Sequence, residues 1–232
     1  MTGTASDTVL DNPVWTSMRD AHPGLADVVQ VGSGRAGRYH HDVSPFGGVE
    51  DPANPDCWEA LGQVLDGHWA ALILDPASIP EDWEVMTAIP GVQMDGTALE
   101  PAEDHEAVVL TDEDVPDMLA LVERTRPGPF LDRTNRMGRY IGIRRDGRLV
   151  AMAGERLHPT GWTEISAVCT DESCRAQGLG TRLVRAVAAG IRSRGERPFL
   201  HASVDNHNAI RLYQSLGFTL RATPTFNILR RP

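Results

Sequence analysis

Two glycine-rich loops compete for the chemistry of an anionic ligand. Arg175-Ala176-Gln177-Gly178-Leu179-Gly180 follows a strand-like run, Thr163 to Thr170, and opens directly into an apolar stripe of helical spacing, Leu179, Leu183, Val184, Val187 and Ile191. Glycines in such a turn let backbone amides converge on one point, and a helix behind them adds roughly half a positive charge at its N-terminus. Arg175 supplies a full charge, and Thr181 and Arg182 extend the donor set into the first helical turn. Gly32-Ser33-Gly34-Arg35-Ala36-Gly37 has the dinucleotide-binding spelling, but that chemistry needs a helix immediately behind the loop. The chain instead continues Arg38-Tyr39-His40-His41-Asp42-Val43-Ser44-Pro45, without a helical stripe, so this loop is read as a turn. His40, His41 and Asp42 are metal-ligand types, yet neighbours on a strand point to opposite sides, which favours exposed polar residues.

A second constellation lies downstream: Asn206-His207-Asn208-Ala209-Ile210-Arg211-Leu212-Tyr213-Gln214-Ser215-Leu216-Gly217-Phe218. Together with the Arg175 loop it closely resembles the GNAT superfamily of acyl-CoA-dependent N-acetyltransferases. The family's R/Q-x-x-G-x-G/A loop matches Arg175 to Gly180, and its N-x-x-A-x-x-L-Y-x-x-x-G-F segment matches Asn206 to Phe218 without an insertion. The resemblance covers about residues 107–232. It implies a strand that splays from its parallel neighbour, with the pantetheine arm of acetyl-CoA in the gap and Val168, Cys169 and Thr170 at the ligand-facing end. It places the pyrophosphate on the amides of Arg175, Ala176, Gln177, Gly178, Leu179, Gly180 and Thr181, and an amide near the thioester oxygen as an oxyanion hole. The family often has proline two residues after the strand end, where this chain has Glu172.

The resemblance also puts Tyr213 at the general-acid position, able to protonate the departing thiolate; a core aromatic beside Leu212 and Leu216 is the plainer alternative. Asn206 is expected to cap its helix and to touch the pantetheine. Cys169 as a covalent nucleophile is set against a small apolar filler, and direct transfer, the family's route, is expected. Three alternatives stay open for the base. His201 stands where ribosomal-protein acetyltransferases of this family carry a glutamate, and an imidazole titrates near neutral pH. Glu164, on the neighbouring strand, is the second, and the absence of any dedicated base is the third.

The elements that must position these residues fall into two stretches. Residues 1–104 contain a helix end or short strand at Leu25 to Val31, a helix through Cys57, Trp58, Leu61, Val64 and Leu65, and strands within His68 to Leu74 and Trp83 to Val92. The acidic, poorly patterned stretch Asp95 to Glu106 is taken as the boundary. Residues 105–232 read β-α-α-β-β-β-α-β-α-β, with Thr111 or Asp112 capping a helix whose apolar face is Val115, Met118, Leu119 and Val122. Asp146-Gly147 closes a hairpin. The expectation is an α/β fold with a mixed sheet, GNAT-like over 105–232. An acidic α/β segment of unknown role precedes it, with a degenerate repeat of the same fold as one reading.

Composition bounds the function. With 232 residues, 41% hydrophobic and 23% charged, the chain has the makeup of a folded globular protein. No apolar run approaches a membrane span, and the start lacks the basic-then-apolar signature of a signal peptide. The three cysteines, Cys57, Cys169 and Cys174, have no metal-ligand spacing, so a reducing cytoplasm is expected. All 22 basic residues are Arg. Residues 1–104 carry a net charge of −15 and residues 105–232 a net of +5, an asymmetry that suggests two electrostatic tasks. The arginines form no dense run, which argues against duplex nucleic acid. The leading expectation is transfer of acetyl from acetyl-CoA to a small-molecule amine or a peptide N-terminus, by a monomer or homodimer without a metal. A cationic acceptor would be favoured if the acidic segment lined the cleft. An inactive acyl-CoA-binding sensor or interaction module is the alternative.

Overall fold

The computed structural model describes residues 8–231, which form twelve strands and five α-helices. After α1 (Pro13–Asp20), the strands β1 (Ala26–Val31), β2 (Gly34–Tyr39) and β3 (Gly47–Val49) make a three-stranded antiparallel sheet. The glycine-rich loop is a two-residue turn: Gly32, at φ +50°, and Ser33 join β1 to β2, and Gly34 and Gly37 lie within β2. Helix α2 (Pro55–Leu65) starts at Asn54, whose side chain accepts from the Asp56 amide, and buries Cys57, Trp58, Ala60, Leu61 and Leu65.

Next come β4 (Trp69–Leu74), β5 (Glu84–Asp95), β6 (Val108–Leu110), α3 (Val115–Thr125), β7 (Tyr140–Arg145), β8 (Arg148–Glu155) and β9 (Trp162–Thr170). The chain ends with α4 (Leu179–Ser193), β10 (Arg197–Ser203), α5 (His207–Ser215), β11 (Thr219–Ala222) and β12 (Thr225–Arg230). The hairpin between β7 and β8 turns on Asp146 and Gly147, both left-handed at φ +50° and +78°, as a primed turn requires. Helix α3 fully buries Met118 and Leu121, leaving Leu119 and Val122 half-covered, so the buried stripe lies slightly off the face that spacing suggested. The Asp114 carboxylate accepts from the Thr111 amide and hydroxyl at the start of that helical segment.

The main sheet has nine strands in the order β4-β12-β5-β10-β9-β8-β7-β6, with β11 also on β5. Pairing and core both cross residue 104. Strand β5, from the acidic part, lies antiparallel to β10 on one edge and to β11 and β12 on the other. Among the described residues, three apolar clusters draw on both parts; one joins Val92, Met94 and Leu99 to Ile141, Leu183 and Phe218. The strand pairs made wholly within residues 1–104, β1 with β2 and β2 with β3, are antiparallel. The stretch taken as a boundary is a strap along α4: Arg182 holds Asp104 at 2.6 and 2.8 Å, Arg185 donates to the Glu100 carbonyl, and Arg192 to the Thr97 carbonyl.

The charge asymmetry has a local explanation. Carboxylates of the first part meet arginines of the second in the pairs Asp11–Arg221, Asp42–Arg133, Glu59–Arg231 and Glu84–Arg230. These solvent-facing pairs contribute little each, but they set complementary surfaces against one another. Deeper in, the His22 ring reaches the Met137 carbonyl from Nε2 at 2.9 Å and the Tyr39 hydroxyl from Nδ1 at 2.9 Å. With a carbonyl at Nε2, the proton sits there and Nδ1 accepts. Burial and the neighbouring His158 push the His22 pKa down to about 4, so the ring is neutral at physiological pH.

Candidate active site

The site begins where two parallel strands part. Strands β9 and β10 pair only through Trp162, Thr163 and Glu164 against Arg197, Pro198 and Phe199. Beyond Glu164 that edge of β9 is unpaired. On its other edge β9 follows β8 until a bulge, where Ala167 and Val168 stand opposite the single residue Ala153 and Ala167 takes φ +51°. A bulge leaves the extra residue's backbone outside the ladder and re-aims it. Beside this gap lies a cavity of about 480 Å³, lined on the strand side by Ile165, Ser166, Ala167 and Val168 and on the helix side by Asn206, Ala209 and Tyr213. Cys169 and Thr170 do not line it. Cys169 is buried in the cluster under α3 with Met118 and Leu121, and burial pushes its thiol up to about 11, an inert state at neutral pH. Thr170 lies next to the helix start, its Oγ1 3.9 Å from where a Cβ on Gly180 would stand.

The Arg175 loop is shaped before any ligand arrives. The Asp171 carboxylate accepts from the Ser173 hydroxyl at 2.8 Å and amide at 3.2 Å, and from Arg124 and Arg148. Those Ser173 bonds hold its pKa down at about 2. Ala176 and Gly178 are left-handed at φ +60° and +74°, which turns successive amides the same way, and α4 starts at Leu179. Among the described residues the amides of Ala176, Gln177 and Gly178 have no backbone acceptor, and those of Leu179, Gly180 and Thr181 are the unsatisfied donors of a helix start. A Cβ at Gly178 would meet nothing within 4 Å, so the space above the loop is open. Arg175 is 59% exposed, with only Glu172 near, at 3.9 Å. Arg182 does not extend this donor set, because Asp104 and Glu106 hold its guanidinium. The residues present therefore fit a phosphate-bearing arm: amides without a backbone acceptor, a mostly exposed arginine, an open cradle and an unpaired strand edge.

Tyr213 lies against Phe218, ring centroids 5.7 Å apart, and its phenol meets the cavity with no hydrogen-bond partner among the described residues. Burial pushes its pKa up to about 12, so it is a proton donor across the physiological range. Asn206 caps α5, its side chain accepting from the Ala209 amide at 3.2 Å.

The two candidate bases are side by side, and both are committed. Arg156 grips Glu164 with two hydrogen bonds of 2.8 and 2.7 Å, and the same carboxylate accepts a hydrogen bond from His201 Nδ1 at 2.7 Å. The Gln93 side chain then closes the chain. Its Oε1 accepts from Arg221, and its amide nitrogen donates to the Leu10 carbonyl and to His201 Nε2 at 3.0 Å. Both imidazole nitrogens are thus engaged, with the proton on Nδ1. The side chains of His201 and Glu164 are 1% and 0% exposed. Burial alone would raise the Glu164 pKa, but the Arg156 guanidinium and the bonds from Arg156 and His201 outweigh it and hold the carboxyl well below the usual range. His201 is among the residues lining the cavity, with its side chain buried, and Glu164 is not. Arg156 lies only eight residues before Glu164, but Gln93 comes from over 100 residues before His201, which the local sequence gives no sign of.

The far wall of the cavity was not legible in the sequence. It is built from the acidic part, yet the residues it contributes are Pro45, Phe46, Trp69, Ala71 and Ile89, none of them charged. The acidic segment thus reaches the cavity through uncharged residues, and several of its carboxylates, Asp11, Asp42, Glu59, Glu84 and Asp104, pair instead with arginines of the second part. Among the described residues no group of three His, Cys, Asp or Glu side chains is placed to hold a metal, and no helix is long and apolar enough to cross a membrane.

Comparison with known proteins agrees with this geometry. Residues 140–226 match the family model for FR47-like protein. The chain is 38% identical over 76 residues to mycothiol acetyltransferase of Thermomonospora curvata, 32% of this chain and 26% of that protein. It is 35% identical over 82 residues to N-alpha-acetyltransferase RimI of Mycobacterium tuberculosis, 34% of this chain and 51% of that protein. The matches therefore span about a quarter and about a half of these relatives' lengths. A crystal structure of a GNAT-family protein from Novosphingobium aromaticivorans is similar over nearly the whole molecule, with 38% identity, a TM-score of 0.84, and coverage of 96% of this chain and 98% of that one. At that identity and coverage, the chain belongs to the GNAT superfamily.

Proposed function

We infer that this protein transfers an acetyl group from acetyl-CoA to a primary amine by direct attack. The observation that carries the reading is the parting of β9 and β10 beyond Glu164, with Tyr213 among the residues lining the cavity beside that gap. The loop amides and Arg175 bind the pyrophosphate, and the unpaired edge of β9 beyond Glu164 takes the pantetheine amides as a missing strand would. Acetyl-CoA supplies an activated acyl group on a thiol leaving group.

The bulge at Ala167–Val168 leaves backbone outside the ladder, and an amide there would serve the thioester oxygen as an oxyanion hole, a donor worth about 3 kcal/mol. As the amine nitrogen bonds to the acyl carbon and the carbon–sulfur bond breaks, the amine releases one proton to solvent. Tyr213 gives one to the departing sulfur and recovers it from water, leaving an amide and a free thiol. Cys169, buried and protonated, takes no part. Thiol release from acetyl-CoA, measured across amines, amino acids and peptides with wild type and Tyr213→Phe, tests the reading. Acetyl-CoA binding without thiol release from any amine would replace it with an acyl-CoA-binding module.

A further inference from the structure

The cavity has two kinds of wall. Where β9 and β10 part it offers backbone and Tyr213; opposite, β4, β5 and β12 close it with apolar side chains. Those side chains share one sheet face: Ala71 stands across from Ile228, and Ile89 across from Phe226. Trp69 is 46% and Ile89 40% exposed, so two large apolar groups are left to solvent inside a concavity rather than scattered over the surface. The lining includes two arginines, Arg126 and Arg156, and His201, whose side chain is 1% exposed, and no carboxylate is among them. Arg156 is matched by Glu164 and lies 4.9 Å over the Phe46 ring. Arg126, in the loop after α3, has no carboxylate partner among the described residues. A polycationic acceptor would find no counter-charge here and would meet a positive group on the wall.

We propose that the acceptor is a primary amine borne on an apolar body of aromatic size and without a second positive charge, seated against Trp69, Ile89 and Phe226; this rests on the acetyl-transfer reading of the same cavity. Such a wall also selects the reactive form of the nucleophile. An ammonium loses hydration on entering and gains no anion, whereas the free amine enters with its lone pair available. That removes the need for the carboxylate or imidazole base that the site withholds. A free arylalkylamine and the N-terminal apolar residue of a peptide share this chemistry.

The test compares phenethylamine, ethylamine, spermidine and a phenylalanine-led tetrapeptide as acceptors at saturating acetyl-CoA, read by thiol release. Phenethylamine or the peptide should exceed ethylamine in kcat/KM by about 10-fold or more, and whichever leads names the source. Trp69→Ala and Ile89→Ala, both at solvent-exposed positions, should each lower that ratio by about 10-fold. Spermidine outrunning both apolar acceptors, or a ratio that neither substitution moves, overturns the proposal. Tryptophan fluorescence separates it from the reading beneath it. Phenethylamine alone should give a saturable change that Trp69→Ala removes. Saturable binding without thiol release would leave the amine site standing and refute acetyl transfer, whereas brisk thiol release led by spermidine would do the reverse.

Discussion

Replacing Glu164 by Gln separates a structural carboxylate from a catalytic one. The side chain keeps its shape and its acceptor for His201 Nδ1, but the Arg156 guanidinium, whose side chain is 9% exposed, loses its counter-charge and a charge-assisted bond. Removing one partner of a buried ion pair costs about 3–5 kcal/mol, because the remaining charge stays desolvated. Against a total stability of about 5–15 kcal/mol this is a large fraction. At a urea dependence of about 2–3 kcal/mol per molar, the unfolding midpoint should fall by roughly 1–2 M. Glu164→Gln combined with Arg156→Met should recover most of that loss, since the pair can be replaced by apolar packing against Phe46 at little net cost. Because Glu164 is fully buried and does not line the cavity, the folded variant should keep kcat within about 10-fold and an unchanged pH profile, a base being worth about 10²–10⁴. A Glu164→Gln protein of wild-type stability that loses 10²–10⁴-fold in kcat, with its acidic limb gone, would show Glu164 to be the base. A double variant as unstable as the single one would refute the ion-pair accounting.

Tyr213→Phe keeps the ring against Phe218 and removes the proton donor, so kcat should fall about 10²–10⁴-fold while the acetyl-CoA dissociation constant, from equilibrium titration, stays within about twofold. In Gly178→Val a branched side chain enters the open space above the loop from a residue at φ +74°. The melting rise of about 5–10 °C that acetyl-CoA should give at 100 times its dissociation constant should vanish, and a retained shift would place the cofactor elsewhere. His22 carries an acid sensitivity. Its folded pKa of about 4 lies below the unfolded value, so between pH 6.5 and 4 the unfolded chain binds the extra proton and stability falls with falling pH, by about 3 kcal/mol across that window. His22→Gln should flatten that part of a urea-midpoint-against-pH curve.

The sequence determined what depends on local spacing. The loop Arg175 to Gly180, its place between a strand and an amphipathic helix, the Asn206 cap, Tyr213 and the Asp-Gly hairpin are all set by residues within a turn or two of each other. The structure puts the start of α4, the Asn206 cap and the Asp146-Gly147 turn where the pattern implied. Tertiary structure decided what depends on residues far apart in the chain. His201 and Glu164 read as two of three alternatives for the base, and the structure sets both in a buried network with Arg156, eight residues from Glu164, and with Gln93 and Arg221, the latter two over 100 residues apart. The −15 and +5 parts read as separate units because charge was counted along the chain, whereas in space the opposite charges face each other across one shared sheet. The bulge at Ala167 has no signature, since an alanine forced to positive φ is held there by the register of β8 rather than by its own preference. The apolar wall of the cavity exists only once β12 draws β4 and β5 together, which no pattern within either strand specifies.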